Sequence, residues 1–185
     1  MRRLIVFNQV SLDGYFVDAK GDMSWAHRQD AEWNEFTSQN ASGGGELVFG
    51  RVTYDMMAGF WPTEAAKQRA PIVAEQMNSL PKVVFSRTMD RAAWNNTRLI
   101  KGDLASEVRK LKSEPGPGMA MFGSGTIIAQ LAPERLIDEY QFVVVPVVLG
   151  DGRTMFDGVK DRLALKLTRT RPFSNGNVVL YYEPA

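Results

Sequence analysis

Three short stretches of this chain share one arrangement, an apolar run that ends in glycine, hydroxyl and cationic residues. They are Val48-Phe49-Gly50-Arg51-Val52-Thr53, Val84-Phe85-Ser86-Arg87-Thr88 and Met121-Phe122-Gly123-Ser124-Gly125-Thr126. Glycine lets a backbone come close to a phosphate, and a helix N-terminus offers free N–H groups carrying partial positive charge. An arginine fork adds two parallel bonds to phosphate oxygens, and Ser or Thr hydroxyls donate more. Each stretch alone can also be read as a turn followed by a solvated charge. Gly123-Ser124-Gly125 is not the Rossmann fingerprint, because Ile128 stands where the third glycine belongs, and there is no Walker A sequence. Three such stretches at strand-to-helix junctions point to a ligand with several phosphates.

A second constellation is Trp25, Asp30 and Trp33. A carboxyl between indole rings loses hydration, which raises its pKa and suits it to handling a proton near neutrality. The same residues also read as a helix cap with two core tryptophans, since Asp is among the preferred N-cap residues. The single histidine, His27, cannot build a metal site alone, and without cysteines no metal centre is expected. Glu32 and Glu35 read as the wet face of their helix, Lys67 and Arg69 as solvated, and Asp138-Glu139 as structural.

The elements that must position these residues follow from the pattern of the chain. Its 185 residues, 44% hydrophobic and 23% charged, suit one domain spanning 1–185. Lys+Arg number 22 and Asp+Glu 21, a balance that offers nothing to nucleic acid or an anionic membrane. The absence of cysteine excludes disulfides, thiol nucleophiles and iron–sulfur clusters. The longest apolar run, 142–149, contains Pro146 and falls far short of the ~20 residues that span a bilayer. The N-terminus lacks a signal-peptide core, so a cytoplasmic protein is expected.

Strands are expected at 4–10, 46–49, 82–85, 99–100, 119–122, 139–148, 163–171 and 178–183. Helices are expected at 30–39, 53–58, 71–78, 103–112 and 126–131. Leu104, Val108 and Leu111 give the helix at 103–112 an apolar face at i, i+4, i+7. Ser174-Asn175-Gly176-Asn177 predicts a closing hairpin, with positive φ supplied by Asn-Gly. Alternating strands and helices predict an α/β fold, a mostly parallel central sheet with helices on both faces and a C-terminal antiparallel hairpin. In such sheets ligands bind outside the carboxyl ends of the strands.

These residues resemble the dihydrofolate reductase superfamily, and most closely the branch of the reductase domain of the riboflavin-biosynthesis deaminase-reductase, in its stand-alone form. Ser11-Leu12-Asp13-Gly14-Tyr15-Phe16, Gly50-Arg51-Val52-Thr53, Phe85-Ser86-Arg87-Thr88, Phe122-Gly123-Ser124-Gly125-Thr126 and the run 136–152 carry the resemblance in that order. It implies a three-layer dihydrofolate-reductase-like fold and NADPH as hydride donor. By the same resemblance Gly50, Arg51 and Thr53 contact phosphates, and Ser86, Arg87 and Thr88 hold the 2′-phosphate and adenosine end. Gly123, Ser124, Gly125 and Thr126 carry the pyrophosphate. Trp25, Asp30 and Trp33 match a Trp-x4-Asp-x2-Trp pattern in which the acid assists protonation. Two departures, Asn34 in place of an aromatic and no Leu-Pro before Asp30, fall in the folate half and leave the cofactor half intact.

The expected activity is hydride transfer to a C=N-type carbon of a pterin or a pyrimidine, flavin-precursor-like substrate. Asp30 is the catalytic candidate, with Phe16, Trp25 and Trp33 on the substrate. Phe16 and the loop 18–24, loosened by Gly21, would cover the nicotinamide. The alternatives are a non-catalytic NADP-binding or sensory protein of the same fold, and a structural domain that binds nothing. The resemblance also implies a homodimer.

Overall fold

The computed structural model describes residues 1–28 and 30–185. The strands are β1 (Leu4–Ser11), β2 (Tyr15–Asp18), β3 (Glu46–Gly50), β4 (Lys82–Phe85), β5 (Thr97–Ile100), β6 (Met119–Phe122), β7 (Glu139–Val145), β8 (Gly152–Thr154), β9 (Leu165–Pro172) and β10 (Val178–Pro184). The helices are α1 (Ala31–Ser42), α2 (Arg51–Phe60), α3 (Glu64–Arg69), α4 (Pro71–Ser79), α5 (Leu104–Ser113) and α6 (Gly125–Leu131), with a 3-10 turn at Ser24–Ala26.

Eight strands form one sheet in the order β5-β4-β3-β6-β1-β7-β10-β9. Every pairing from β5 to β7 is parallel, and β10 runs antiparallel to both β7 and β9. β2 and β8 form a separate two-stranded flap. The expected fold class, including the terminal hairpin, is the one observed.

The period of two along each strand sorts side chains between two faces. Leu4 and Val6 of β1, Val48 of β3, Val83 and Phe85 of β4, and Met119 and Met121 of β6 meet Val108, Leu111, Ile128 and Leu131 of α5 and α6. The opposite parity builds the other layer in two clusters. Leu47, Phe49 and Val84 pack with Tyr54 of α2 and Met77 of α4, while Val143, Val145 and Val179 pack with Trp33 and Phe36 of α1. Helices thus cover both faces, and the helix N-termini after β3 and β6 emerge on the rim formed by the strands' carboxyl ends.

Several boundaries differ from the sequence expectation for local reasons. The strand expected to reach 148 stops at Val145, because Pro146 has no N–H for the ladder. The flap strands β2 and β8, and the six-residue α3, lie outside the sequence expectation; they are too short to show a period. In the hairpin turn Gly176 alone takes positive φ (+90°), whereas Asn175 accepts the Asn177 N–H through its side chain (2.9 Å).

The amino-end rim is closed by buried ionic groups. Arg2 pairs with Glu46 (2.8 Å), and Lys112 bonds the Leu136 carbonyl (3.0 Å) and Asp138. Lys82, 1% exposed, donates to the carbonyls of Asn78, Leu80 and Asn95 and sits 4.5 Å from the Trp94 ring; burial lowers its pKa to about 8.

Candidate functional site

The three phosphate-suited stretches come from β4, β3 and β6, which are consecutive neighbours in the sheet. Their carboxyl ends therefore set Ser86-Arg87-Thr88, Gly50-Arg51 and Gly123-Ser124-Gly125-Thr126 side by side on one rim; the second and third lead into α2 and α6 as expected, whereas β4 leads through a loop into β5, so the strand-to-helix junction expected at Ser86-Arg87-Thr88 is absent. Side chains tie these turns together. The Gly50 N–H donates to Ser124 Oγ (2.9 Å), the Ser124 N–H donates to Thr53 Oγ1 (3.0 Å), and Ser124 Oγ donates to the Phe122 carbonyl (3.0 Å). From β1, Asn8 Oδ1 accepts the Gly123 N–H (2.6 Å) and Asn8 Nδ2 donates to the Gly123 carbonyl (3.3 Å). Asn8, Thr53 and Ser124 are each less than 10% exposed, at 6%, 7% and 9%.

Gly123 and Ser124 both lie in the left-handed region, at φ +55° and +58°. A Cβ on Gly123 would stand 2.7 Å from Thr53 Oγ1, so glycine is required there both for φ and for space. A Cβ on Gly125 would meet the Phe16 ring at 3.0 Å. Among the described residues the N–H groups of Gly125 and Thr126, the first of α6, have no acceptor. They are the orphan donors every helix start presents. The groups left for a ligand are therefore not the full set the motif implied. Gly123 N–H, Ser124 N–H and the Ser124 hydroxyl are spent on shaping the turn, which leaves the unsatisfied N–H groups of Gly125, buried beneath Phe16, and of Thr126, which is exposed.

Cations flank this cradle on the β3–β4 side. Arg51 donates to Thr88 Oγ1 (2.6 Å) and lies 3.5 Å from Asp55. Arg87 is exposed. Asp103, which caps α5, is held below the ordinary carboxylate range by the Ser106 hydroxyl and N–H, and further by Arg87 and Arg109. Ser86 Oγ accepts the N–H groups of Thr88 (3.3 Å) and Met89 (3.1 Å), which fixes the loop that carries Arg87. An open groove of about 600 Å³ runs between α2 and the segment 88–94 and shares Arg51 and Thr88 with the rim.

The other constellation lies farther along the same rim. Asp30 caps α1, its Oδ1 accepting the Trp33 N–H (2.7 Å), while its Oδ2 shares the Ser174 hydroxyl of the β9–β10 turn (3.3 Å) with Glu32 Oε2 (3.0 Å), which also accepts the Ser174 N–H (3.1 Å). Trp33 is 5% exposed, edge-on to Phe173 with centroids 5.0 Å apart. Its ring thus belongs to the core, as the cap-and-core alternative has it. Trp25 is half-buried and donates through Nε1 to the Asp22 carbonyl (3.1 Å). Three strand spacings of about 4.8 Å, from β6 through β1 and β7 to β10, separate the cradle from the Asp30 end. The structure therefore brings the ten cofactor candidates together and sets the acid apart from them, across the ends of β1 and β7.

Phe16 stands on the cradle side. It lies in the flap strand β2, against Gly125 and Met155, with Arg153 of β8 5.5 Å from its ring. Asp13 anchors the base of the flap. Its carboxylate accepts from the Ser11 hydroxyl (2.6 Å) and from the N–H groups of Leu149 and Gly150 (2.8 Å to Gly150). The Ser11 and Gly150 bonds lower its pKa to about 2.

Sequence reasoning missed Asn8 and Asp13. A signal for Asn8 was present: it shares the parity of Leu4 and Val6, so it is a polar residue on a buried face. Among the described residues no cluster of His, Asp or Glu could hold a metal ion, and no helix is long and apolar enough to cross a membrane.

Comparison with known proteins agrees with this architecture. Protein YyaP of Bacillus subtilis (strain 168), itself uncharacterized, is 31% identical over 98% of this chain and 95% of its own. A putative riboflavin biosynthesis protein from Shewanella sp. PV-4 superposes with a TM-score of 0.76 at 25% identity, covering 99% of both chains. The diaminohydroxyphosphoribosylaminopyrimidine deaminase/5-amino-6-(5-phosphoribosylamino)uracil reductase of Thermotoga maritima superposes at 0.71 with 13% identity, over 100% of this chain and 57% of that one. The model of the RibD C-terminal domain matches residues 2–179. With the sheet order, the rim of turns and this match in agreement, the chain belongs to the RibD C-terminal domain family.

Proposed function

We propose that the chain is an NADPH-dependent reductase acting on a C=N-type carbon of a small pyrimidine, flavin-precursor-like or pterin substrate. The observation that carries this reading is the adjacency of three phosphate-suited turns at the ends of β4, β3 and β6. Membership of a family that includes a uracil reductase domain supports the reaction class. The residues present fit the cofactor. Two unsatisfied N–H groups at the start of α6 and a glycine turn with no room for a Cβ suit a pyrophosphate. Arg51 and Arg87 suit a 2′-phosphate.

NADPH, when bound, supplies the hydride. Gly125 and Thr126 would hold its pyrophosphate, and Arg51, Ser86, Arg87 and Thr88 its 2′-phosphate and adenosine end. Gly50, Thr53, Gly123 and Ser124 keep the cradle in shape. Phe16, lying over Gly125, excludes water from the ring end of the site. Trp25 borders the substrate half, and Asp30 orients the substrate through Oδ2 or passes a proton to the nitrogen beside the reduced carbon. A homodimer is part of the proposal; Val52, Met56 and Phe60 form an exposed apolar stripe on α2 available for such a contact.

The test is binding and turnover together. Tryptophan fluorescence titrations should show NADPH binding more tightly than NADH. Arg87→Ala should lower NADPH affinity about 10- to 100-fold, the worth of one bond between charged partners, with little effect on NADH. Equal affinity of the native protein for the two nucleotides removes Arg87 from the site. Binding with no NADPH oxidation across a panel of pyrimidine and pterin substrates identifies a non-catalytic NADP-binding protein instead.

A further inference from the structure

We propose that Asn8 is a positioning residue for the dinucleotide, acting through Gly123 and not by touching the ligand; this rests on the NADPH reading above. Asn8 stands on β1 just past the last residue paired with β6, since the register ends at Phe7↔Phe122. Beyond that point the backbone of β6 turns away from the sheet. Asn8 continues the ladder with its side chain, accepting the Gly123 N–H at 2.6 Å and donating to the Gly123 carbonyl at 3.3 Å. Only a carboxamide offers an acceptor and a donor side by side in this length. Aspartate lacks the donor, and an apolar residue lacks both.

The bond matters because Gly123 sets the course of the backbone into α6. Gly123 and Ser124 form two consecutive left-handed residues, and that pair leads directly into the free N–H groups of Gly125, buried beneath Phe16, and of exposed Thr126. Successive N–H groups in such a turn form a concavity for anions. Thr53 grips the same turn from the α2 side through the Ser124 N–H. Asn8 grips it from the opposite side, so the direction of the free donors is set by two clamps from different elements. Asn8 Nδ2 has a further weak contact, to Met155 Sδ at 3.7 Å, beside Gly125 and Phe16. The side chain is 6% exposed, so a ligand reaches it only through the turn.

Asn8→Asp keeps the size and the Gly123 N–H acceptor, and sets an oxygen against the Gly123 carbonyl. Affinities for NADPH and for adenosine 2′-monophosphate, which has the 2′-phosphate but no phosphate on the 5′ side, are measured on both proteins. The expected result is an NADPH affinity lowered about tenfold or more, with the 2′-monophosphate changed less than about twofold, because the loss falls on one charge-assisted contact at the pyrophosphate. Equal loss for both ligands marks a general structural role and overturns the proposal, as does no loss for either. In the native protein, amide NMR shifts of Gly123 and of the Asn8 carboxamide should move with NADPH and stay fixed with the 2′-monophosphate. Shifts that move equally with both also overturn it. If the native protein binds neither ligand, the cofactor reading itself fails, an outcome distinct from an unchanged Asn8→Asp variant.

Discussion

Gly123→Ala isolates the steric demand of the cradle. At φ +55° an added Cβ carries the left-handed strain of an ordinary residue, about 1–2 kcal/mol. The same Cβ would also stand 2.7 Å from Thr53 Oγ1 and 2.9 Å from Thr53 Cγ2, and Thr53 is buried and cannot swing into solvent. Overpacking of that kind costs about 1–3 kcal/mol more. The sum, about 2–5 kcal/mol, lowers the melting temperature of a chain this size by roughly 4–20 °C. Gly14→Ala is the matched control. Gly14 has φ +91° and nothing within 4 Å of its Cβ position, so it bears the strain without the clash. Thermal unfolding followed by circular dichroism should therefore place Gly123→Ala below Gly14→Ala by the clash, roughly 2–12 °C. Thr53→Ala in the Gly123→Ala background removes both atoms nearest the new Cβ and should recover part of the loss, a coupling expected of residues in contact. If Gly123→Ala melts no lower than Gly14→Ala, or Thr53→Ala deepens its loss in full additivity, the packed-turn argument is wrong.

The acids give two further tests. Asp30→Ala removes the α1 cap and should cost about 1 kcal/mol, read as a fall of roughly 2–4 °C. Asp30→Ser keeps a capping oxygen and should melt near the native value. If the carboxyl handles a proton in turnover, kcat of Asp30→Ser falls about 100-fold or more, and an unchanged kcat assigns Asp30 to the cap alone. For Asp13, the Ser11 and Gly150 bonds lower the folded pKa from 3.8 to about 2, so the unfolded chain takes up that proton more readily. Its contribution is complete above 3.8 and is lost as pH falls toward 2. Asp13→Asn should flatten that part of the acid-unfolding curve, and an acid limb identical to the native one would show that the flap anchor contributes nothing.

Residue order alone settles the layered α/β class, because apolar runs of period two and the 104–111 helical face are local properties of neighbouring residues. It also determined that glycines, hydroxyls and arginines come directly after three strands, and that no cysteine or multi-histidine chemistry is open to the chain. Packing in three dimensions settles which of those groups remain free. Thr53, Ser124 and Gly123 carry the residue types of a phosphate site, yet their polar atoms are consumed by one another and by Asn8, which lies 115 positions from Gly123 in the chain. Likewise Asp30 and Trp33 keep their helical spacing in any fold, but only Ser174 and Phe173, brought up by the last hairpin, decide that one ring is core and that the carboxylate bridges two elements. Both cases have one cause. A motif records which hydrogen-bonding groups exist, whereas their availability depends on partners that the sheet order brings together from distant parts of the chain.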